Sequence, residues 1–224
     1  MSKGRLIVIE GLDSSGKETQ SKLLCEYLEK LGKKVKRIEF PNYKSDSSAL
    51  VRMYLGGSFG DSPDCVSAYA ASSFFAVDRY ATYKTDFQQF LDEGGIVIAD
   101  RYTTSNMIHQ ASKITDEKER ADYLNWLENY EYGPLGLPRP DKVIFLDMPM
   151  DIALSLMQKR LNKIDGSESK DIHESNKEYL AATYRVATEL SKKYGWEHVL
   201  CGTGGEPLAI EQISKEVIKA SGEK

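Results

Sequence analysis

The chain has 224 residues, of which 41% are hydrophobic and 29% are charged, and its formal net charge at pH 7 is -4. This length suits a single domain over residues 1–224, while the negative charge argues against a broad nucleic-acid-binding surface. No stretch approaches the ~20 apolar residues of a membrane span, and the three widely spaced cysteines fit free thiols in a cytoplasmic protein.

Strand and helix patterns alternate along the chain. RLIVIE, residues 5–10, is a largely β-branched run that ends at a glycine, and residues 17–32 after it have helical periodicity. Further strands are predicted in KKVKRIEF, GIVIAD, DKVIFLDM and WEHVLC. This alternation predicts a three-layer α/β fold, in which a parallel five-stranded sheet is flanked by helices. Ligands of such sheets bind at the carboxyl ends of the strands.

A long helical segment is predicted from about residue 63 to residue 93. Its apolar residues at helical spacing form a stripe that we expect to face the core: Val66, Ala70, Phe74, Val77 and Ala81. Phe75 and Arg79 lie off this stripe, one turn apart on a common face. An aromatic ring and a guanidinium placed in this way can form a small binding site.

GLDSSGKETQ, residues 11–20, has the spacing of a phosphate-binding loop between a strand and a helix. Its glycines let successive backbone N–H groups point at phosphate oxygens, and its lysine reaches the outer phosphates. The sequence therefore predicts an ATP site formed by Gly11, Leu12, Asp13, Ser14, Ser15, Gly16, Lys17, Glu18 and Thr19.

Glu18 departs from the usual loop, which has a magnesium-binding hydroxyl at this position. A carboxylate beside a triphosphate is repelled unless it points away or binds the ion itself. The pair Thr19 and Gln20 after a non-hydroxyl residue resembles the loop of adenylate-kinase-like enzymes, so we still expect the loop to hold a nucleotide. Mg²⁺ is then expected to be bound mainly by nucleotide and water, with help from Asp100 at the end of the third strand.

Other motifs indicate a second ligand. Asp13 lies inside the phosphate loop, where a carboxylate is unfavourable unless it accepts a hydrogen bond from a group such as a sugar hydroxyl. Arg101 follows a strand end, where its guanidinium can bridge two phosphates. In FFAVDRY, an aromatic ring can stack on a base while an arginine bonds the base edge. In SNMIHQ, Asn106 and Gln110 lie one helical turn apart, where two amides can read a base.

The motifs EGLDSSGK, FP, FFAVDR, DRYTTSN and LPRPD, in this order, resemble the thymidylate kinase family over nearly the whole chain. Members of that family transfer the γ-phosphoryl group of ATP to thymidine monophosphate (dTMP) with Mg²⁺. The resemblance implies the P-loop nucleoside monophosphate kinase fold, ATP and dTMP as substrates, Mg²⁺ as cofactor and a homodimer. The net charge and the lack of a long apolar stretch lead us to expect no nucleic-acid or membrane partner.

The resemblance also implies residue roles at the acceptor site. Asp13 would accept the 3'-hydroxyl of dTMP, Phe75 would stack on thymine, and Arg79 would bond a thymine carbonyl. The two amides of SNMIHQ would read the rest of the base, and Arg101 would hold phosphate. Arg52 would lie near the acceptor phosphate. Lys44 or Arg52 must supply positive charge there, because FPNYK lacks the arginine that follows FP in one branch of the family.

The sequence differs from some thymidylate kinases at His109 and in the phosphate loop. His109 lies where some relatives carry a tyrosine against the sugar, which weakens the expectation that a 2'-hydroxyl is rejected. Some thymidylate kinases supply a catalytic arginine from the phosphate loop, but this loop has two serines instead. A polar lid at about residues 158–173 is then the expected source, with Arg160 first, followed by Lys163 and Lys170. The predicted catalytic residues are thus Lys17, Arg101, Arg160 and Asp13. A solvated helix end is the alternative reading of the lid segment.

Other functions remain open at this point. A uridylate or cytidylate kinase would share the loop and lid, although Arg79 suits a carbonyl better than the exocyclic amine of cytosine. A GTP-binding switch is suggested by NKID (162–165) and DEGG (92–95), but neither motif follows a strand as it does in G proteins. CGTGGEP after the last strand either packs adenine or is simple turn chemistry.

Overall fold

The computed structural model describes residues 4–157, 173 and 176–223. Within these residues, the strands are β1 (Arg5–Gly11), β2 (Val35–Glu39), β3 (Ile96–Asp100), β4 (Lys142–Asp147), β5 (Glu197–Leu200), β6 (Gly202–Thr203) and β7 (Glu206–Pro207). The helices are α1 (Lys17–Lys30), α2 (Ala49–Leu55), α3 (Ala68–Thr82), α4 (Gln88–Asp92), α5 (Thr103–His109), α6 (Glu117–Tyr132), α7 (Met150–Met157), α8 (Lys177–Lys193) and α9 (Ile210–Ser221).

Within the described part of the chain, five strands form one parallel sheet in the order β2-β3-β1-β4-β5. The five predicted strands are confirmed. Because the strands are parallel, their carboxyl ends meet at one edge of the sheet. The central strand β1 lies between β3 and β4, with Ile9 opposite Asp100 and Gly11 opposite Leu146. The phosphate loop therefore leaves the middle of this edge.

Both faces of the sheet are buried. Ile7 and Ile9 of β1 pack with Leu24 of α1 on one face, and α9 completes that layer. Leu6 and Val8 face the opposite side, where the segment that precedes β3 packs on them. A strand that is buried on both sides needs apolar residues at successive positions, which explains the run in β1. The three-layer architecture is thus confirmed.

The long helical segment exists, but its predicted orientation is wrong. A wider π-helical turn at Tyr83–Phe87 joins α3 to α4. Val77 is 48% exposed and Ala70 is also exposed, so the apolar stripe does not face the core as a whole. The inward face of α3 instead carries small residues together with the buried charges Asp78 and Arg79. One buried charge of this face, Arg79, lines the cavity described below.

Several sequence predictions fall on residues that the structure does not describe. Arg160, Lys163 and Lys170 of the predicted lid lie outside the described residues, as does NKID. The stretch CGTGGEP forms the antiparallel hairpin of β6 and β7. Among the described helices, none has the length and apolar character that a bilayer crossing requires.

Candidate active site

The phosphate loop has the backbone geometry that its glycines predict. Gly11 has φ 156°, and a Cβ added there would lie 2.6 Å from Ser15 Oγ and 2.8 Å from the Leu146 carbonyl oxygen. Glycine is therefore required at this point. Ser14 and Gly16 adopt left-handed conformations with φ 62° and 90°, which turn the chain into α1.

Lys17 and two serines supply polar groups inside the loop. Lys17 Nζ donates to the Leu12 carbonyl oxygen at 2.6 Å. Burial and the nearby Arg101 lower the pKa of Lys17 from 10.5 to about 8. The Ser14 and Ser15 hydroxyls are buried and have no hydrogen-bond partner within the described residues. A concave loop with a buried cation and unpartnered donors is suited to bind phosphate.

Glu18 does not point into the loop. Its Oε1 accepts a hydrogen bond from Lys22 Nζ at 2.7 Å on the exposed side of α1. Thr19 is exposed as well. The side chain at the unusual position thus adopts the first of the two arrangements expected for it, with its carboxylate directed away from the phosphates.

Arg101 connects the phosphate loop to the second ligand site. Its Nη2 donates to Asp13 Oδ1 at 2.5 Å, and its Nη1 donates to His109 Nε2 at 3.1 Å. Burial alone would lower the pKa of Arg101, but Asp13 and Glu10 raise it above its usual value. Because arginine only donates, the accepting His109 Nε2 carries no proton. The guanidinium is fixed beside the loop at the edge of a cavity.

Glu10 was missed by the sequence reasoning. It is fully buried, and its Oε1 accepts from the Gly11 backbone N–H at 3.0 Å. Its Oε2 accepts from the hydroxyls of Thr104 and Ser105 at 2.7 and 2.8 Å. Glu10 therefore ties the start of the phosphate loop to the start of α5. A charged residue inside an apolar strand was the available signal.

Asp100, the predicted magnesium ligand, lies at the end of β3 and is 4% exposed. Arg37 Nη2 approaches its Oδ2 at 3.3 Å. The described residues contain no group of three or more His, Cys, Asp or Glu side chains that is arranged to hold a metal. Asp100 alone fits a Mg²⁺ ion that takes one carboxylate from the protein and most of its ligands from nucleotide and water.

A cavity opens next to Arg101. Its walls come from the phosphate loop, the segment after β2, and helices α2, α3 and α5. The lining residues are Asp13, Phe40, Pro41, Tyr43, Leu55, Phe75, Arg79, Arg101, Tyr102, Ser105, Asn106, His109, Gln110 and His173.

The four residues predicted to recognise a base line this one cavity: Phe75, Arg79, Asn106 and Gln110. The ring of Phe75 is half-buried and meets Tyr54 edge-on, with centroids 6.3 Å apart. Gln110 is fully buried, and neither its Nε2 nor its Oε1 has a partner among the described residues. A buried amide without partners is unfavourable unless a ligand satisfies it.

Glu131 of α6 was also missed. It is fully buried and accepts from Arg79 Nε at 2.7 Å and from Arg79 Nη2 at 2.5 Å. Burial alone would lower the pKa of Arg79, but Glu131 raises it. The bidentate pair holds the guanidinium against the cavity wall. Nothing in the aromatic stretch around Glu131 distinguishes this carboxylate from a solvated one.

Arg52 lies apart from the cavity wall. Its Nη1 donates to the carbonyl oxygens of Tyr43 and Ser45, both at 2.9 Å, and to Ser48 Oγ at 2.6 Å. Arg52 thus braces the loop that follows the FP motif, and Tyr43 of that loop lines the cavity. Lys44 is exposed. The phosphate role of Arg52 stays a prediction.

His173 is a cavity residue that no sequence motif indicated. His173 is buried, lines the cavity and stacks on His109 with ring centroids 5.8 Å apart. Its Nε2 lies 2.9 Å from the Tyr54 hydroxyl. Burial, followed by Arg101, lowers the pKa of His109 to about 3, so its ring is neutral at physiological pH. Burial also lowers the pKa of His173, so both imidazoles act as neutral polar groups in the cavity wall.

Comparison with known proteins identifies the family. The family model described as thymidylate kinase matches residues 9–205. The chain belongs to the thymidylate kinase family. A thymidylate kinase of Mycobacterium tuberculosis is 31% identical over 192 residues, which are 85% of this chain and 87% of that relative. A probable thymidylate kinase of Pyrococcus horikoshii is 35% identical over 158 residues, 70% of this chain and 72% of that relative.

The fold agrees with a solved member of the thymidylate kinase family. The thymidylate kinase from Candida albicans superposes with a TM-score of 0.74 at 26% identity, covering 98% of this chain and 91% of that one. The P-loop nucleoside monophosphate kinase fold is thereby confirmed. The Candida albicans enzyme is known for broad substrate specificity.

Proposed function

We propose that this thymidylate kinase family member transfers the γ-phosphoryl group of ATP to dTMP and so produces thymidine diphosphate. The observation that carries the proposal is the position of Arg101. This guanidinium lies beside the phosphate loop and lines the same cavity as the base-recognising residues Phe75 and Arg79. Two nucleotides bound at these places would meet at Arg101, as direct transfer requires.

On the ATP side, backbone N–H groups, the two loop serines and Lys17 would hold the phosphates. Mg²⁺ bound with ATP would neutralise charge on the phosphate oxygens, and Asp100 at the end of β3 would supply a carboxylate ligand. The low pKa of Lys17 reflects a cation that lacks full solvation in the free protein. Bound phosphate oxygens would pair with the positive charge of Lys17.

On the acceptor side, Asp13 would accept a sugar hydroxyl and Phe75 would stack on the base. Arg101 is already oriented by Asp13 and His109, so it needs little rearrangement before it contacts phosphate. Preorganised donors stabilise developing charge more effectively than donors that must first reorient. The expected contribution of Arg160, which lies outside the described residues, would add a further cation.

The alternative functions have less support. The comparisons favour neither a uridylate or cytidylate kinase nor a GTP-binding switch. Arg79 lines the cavity in which a base would lie, and its guanidinium, which only donates hydrogen bonds, suits a carbonyl oxygen.

One coupled assay tests the proposal. ADP formation from ATP is measured with dTMP, UMP, CMP, dCMP and dUMP as acceptors, each with and without Mg²⁺. The proposal requires the highest kcat/KM with dTMP and Mg²⁺. Its failure would be a lack of turnover with dTMP, or a preference for CMP or UMP.

We also propose that the protein is a cytoplasmic homodimer that uses the outer face of α3. Val77 is 48% exposed there, and Tyr69 and Tyr80 are 41% and 40% exposed. Large apolar side chains grouped on one exposed helix face are typical of subunit contacts. The cysteines are free thiols, consistent with a reducing compartment.

The dimer is tested by replacing Val77→Asp and measuring mass by light scattering after gel filtration. Wild type should elute at twice the mass of the chain, and the variant should elute as a monomer because a buried carboxylate opposes association. Leu31→Asp, at a 44% exposed residue after α1, is the matched control and should leave the mass unchanged. A monomeric wild type would refute the proposal.

A further inference from the structure

Glu131 is the centre of a buried hydrogen-bond network behind the base-recognising wall. Its side chain is 0% exposed. Besides the two bonds from Arg79, it accepts from Thr103 Oγ1 at 2.7 Å and from Asn106 Nδ2 at 3.0 Å. One carboxylate thus receives four donors from two helices, α3 and α5. None of these contacts requires a ligand, so the network exists before any nucleotide binds.

The network fixes which end of the Asn106 amide can reach the cavity. Asn106 Nδ2 donates to Glu131 Oε1 and also to the Ser72 carbonyl oxygen at 3.2 Å. Both acceptors can only receive, so the nitrogen must face them. An amide nitrogen has two hydrogens, and both are used in these bonds. The carbonyl oxygen of Asn106 is therefore the group of this cavity-lining side chain that is left to meet a ligand.

Arg79 is constrained in the opposite sense. A guanidinium has five N–H donors. The Nε donor and one Nη2 donor bind Glu131, and one Nη1 donor reaches the Tyr102 carbonyl oxygen at 3.4 Å. Since Arg79 lines the cavity and cannot accept, it offers donors only. The wall consequently presents a donor from Arg79 near an acceptor from Asn106.

We infer that Glu131 is a positioning residue for base selection: it fixes Arg79 as donor and Asn106 as acceptor, so the wall matches a pyrimidine with a carbonyl beside a ring N–H. Thymine and uracil present this pair at O4 and N3. Cytosine presents the reverse, an amino group beside an unprotonated nitrogen. The inference rests on the proposed function and names the group that sets its specificity.

Gln110 does not supply this discrimination. Its two amide ends have no partner among the described residues, so the side chain can turn to match either base. Asn106 cannot turn without placing its carbonyl oxygen against the Glu131 carboxylate. Selectivity is therefore assigned to the constrained amide and not to the unconstrained one.

The test is the substitution Glu131→Gln, with kcat and KM measured for dTMP, dCMP and ATP. Glutamine keeps the shape of the side chain but brings an NH2 group against donors of Arg79, Asn106 or Thr103, so at least one of them must move. We expect the ratio of kcat/KM for dTMP to that for dCMP to fall at least about ten-fold. The KM for ATP should stay within about two-fold of wild type.

Glu128→Gln is the matched control on the same helix. Glu128 accepts from Arg139 at 2.8 Å and from Tyr194 at 3.0 Å, and it does not line the nucleotide cavity. This variant should keep the wild-type ratio of dTMP to dCMP. Should both substrates lose activity equally in Glu131→Gln, with the ratio unchanged, Glu131 would have only a structural role and the inference would be overturned.

Two further measurements cover a variant that fails to fold. Glu131→Asp keeps the charge beside Arg79 but is too short to reach all four donors, so it should also lower the ratio; an unchanged ratio contradicts the inference. Wild type alone must prefer dTMP over dCMP at least about ten-fold, and equal use of the two overturns the inference. Wild type that phosphorylates neither would refute the proposed function itself, which is a separate outcome.

Discussion

Lys17 should lower the free energy of unfolding of the nucleotide-free protein, although phosphoryl transfer requires it. A lowering of its pKa from 10.5 to about 8 means that the charged form costs about 3 kcal/mol more in the folded protein than in the unfolded chain. Replacement by methionine removes this cost and also removes the bond to the Leu12 carbonyl oxygen, worth about 1.5–3 kcal/mol for a charged donor. The net expectation is a gain of about 1 kcal/mol.

The experiment compares Lys17→Met with wild type by thermal and urea unfolding at pH 7. For a chain of this size, about 1 kcal/mol raises Tm by roughly 2–4 °C. Lys30→Met is the control, because Lys30 is exposed in the last turn of the same helix and should change stability by less than about 0.5 kcal/mol. In the coupled assay, Lys17→Met should lose at least about 10²-fold in turnover.

The pH dependence provides a sharper check on Lys17. Between pH 8 and 10.5 the unfolded chain retains a proton on this side chain that the folded protein has released. Wild-type stability therefore rises with pH in this window relative to the variant, and the difference between them should shrink. A variant that is less stable than wild type at pH 7, with a difference that does not change up to pH 10, would refute the reasoning.

Two other predictions concern the cavity. When the pH falls from 7 to 5, the His109→Gln variant should lose about 2 kcal/mol less stability than wild type. The reason is that the pKa of His109 is low in the folded protein, so the unfolded wild-type chain takes up a proton that the folded protein excludes. Urea midpoints at both pH values measure this difference, and equal losses in the two proteins would contradict it. Phe75→Leu should raise the KM for dTMP roughly 5- to 100-fold with little change for ATP, because stacking on a base is worth about 1–3 kcal/mol. Phe74→Leu, whose ring contacts Phe59 with centroids 5.8 Å apart, is its control, and similar KM values in both variants would exclude Phe75 as the stacking residue.

The strands and the phosphate loop could be predicted because local sequence determines them. The apolar run of β1 reflects burial on both faces, and Gly11 reflects a close approach of backbone that excludes any Cβ. The orientation of α3 could not be predicted in this way. Periodicity assigns apolar residues to the core, whereas the inward face of this helix carries Asp78 and Arg79.

The buried carboxylates show the same limit. Glu10 and Glu131 acquire their positions at the site only because distant segments supply their partners. Thr104 lies 94 residues from Glu10, and Arg79 lies 52 residues from Glu131. The sequence shows a charge within the apolar strand at Glu10, but it does not identify the partners of either carboxylate. His173 likewise gains its place from a stack on His109. Tertiary contacts, and not spacing, decide which charged or polar residues of this chain are buried.

The backbone at Arg101 restricts evolution at this position. Arg101 has φ 69°, a left-handed conformation that costs a residue with a side chain about 1–2 kcal/mol. Glycine would relieve that strain but would abolish the forked group that spans Asp13 and His109. Lysine would retain the charge without the fork. Neither glycine nor lysine is thus an adequate replacement for Arg101. Orthologues with the same chemistry should therefore retain an arginine in this unfavourable conformation.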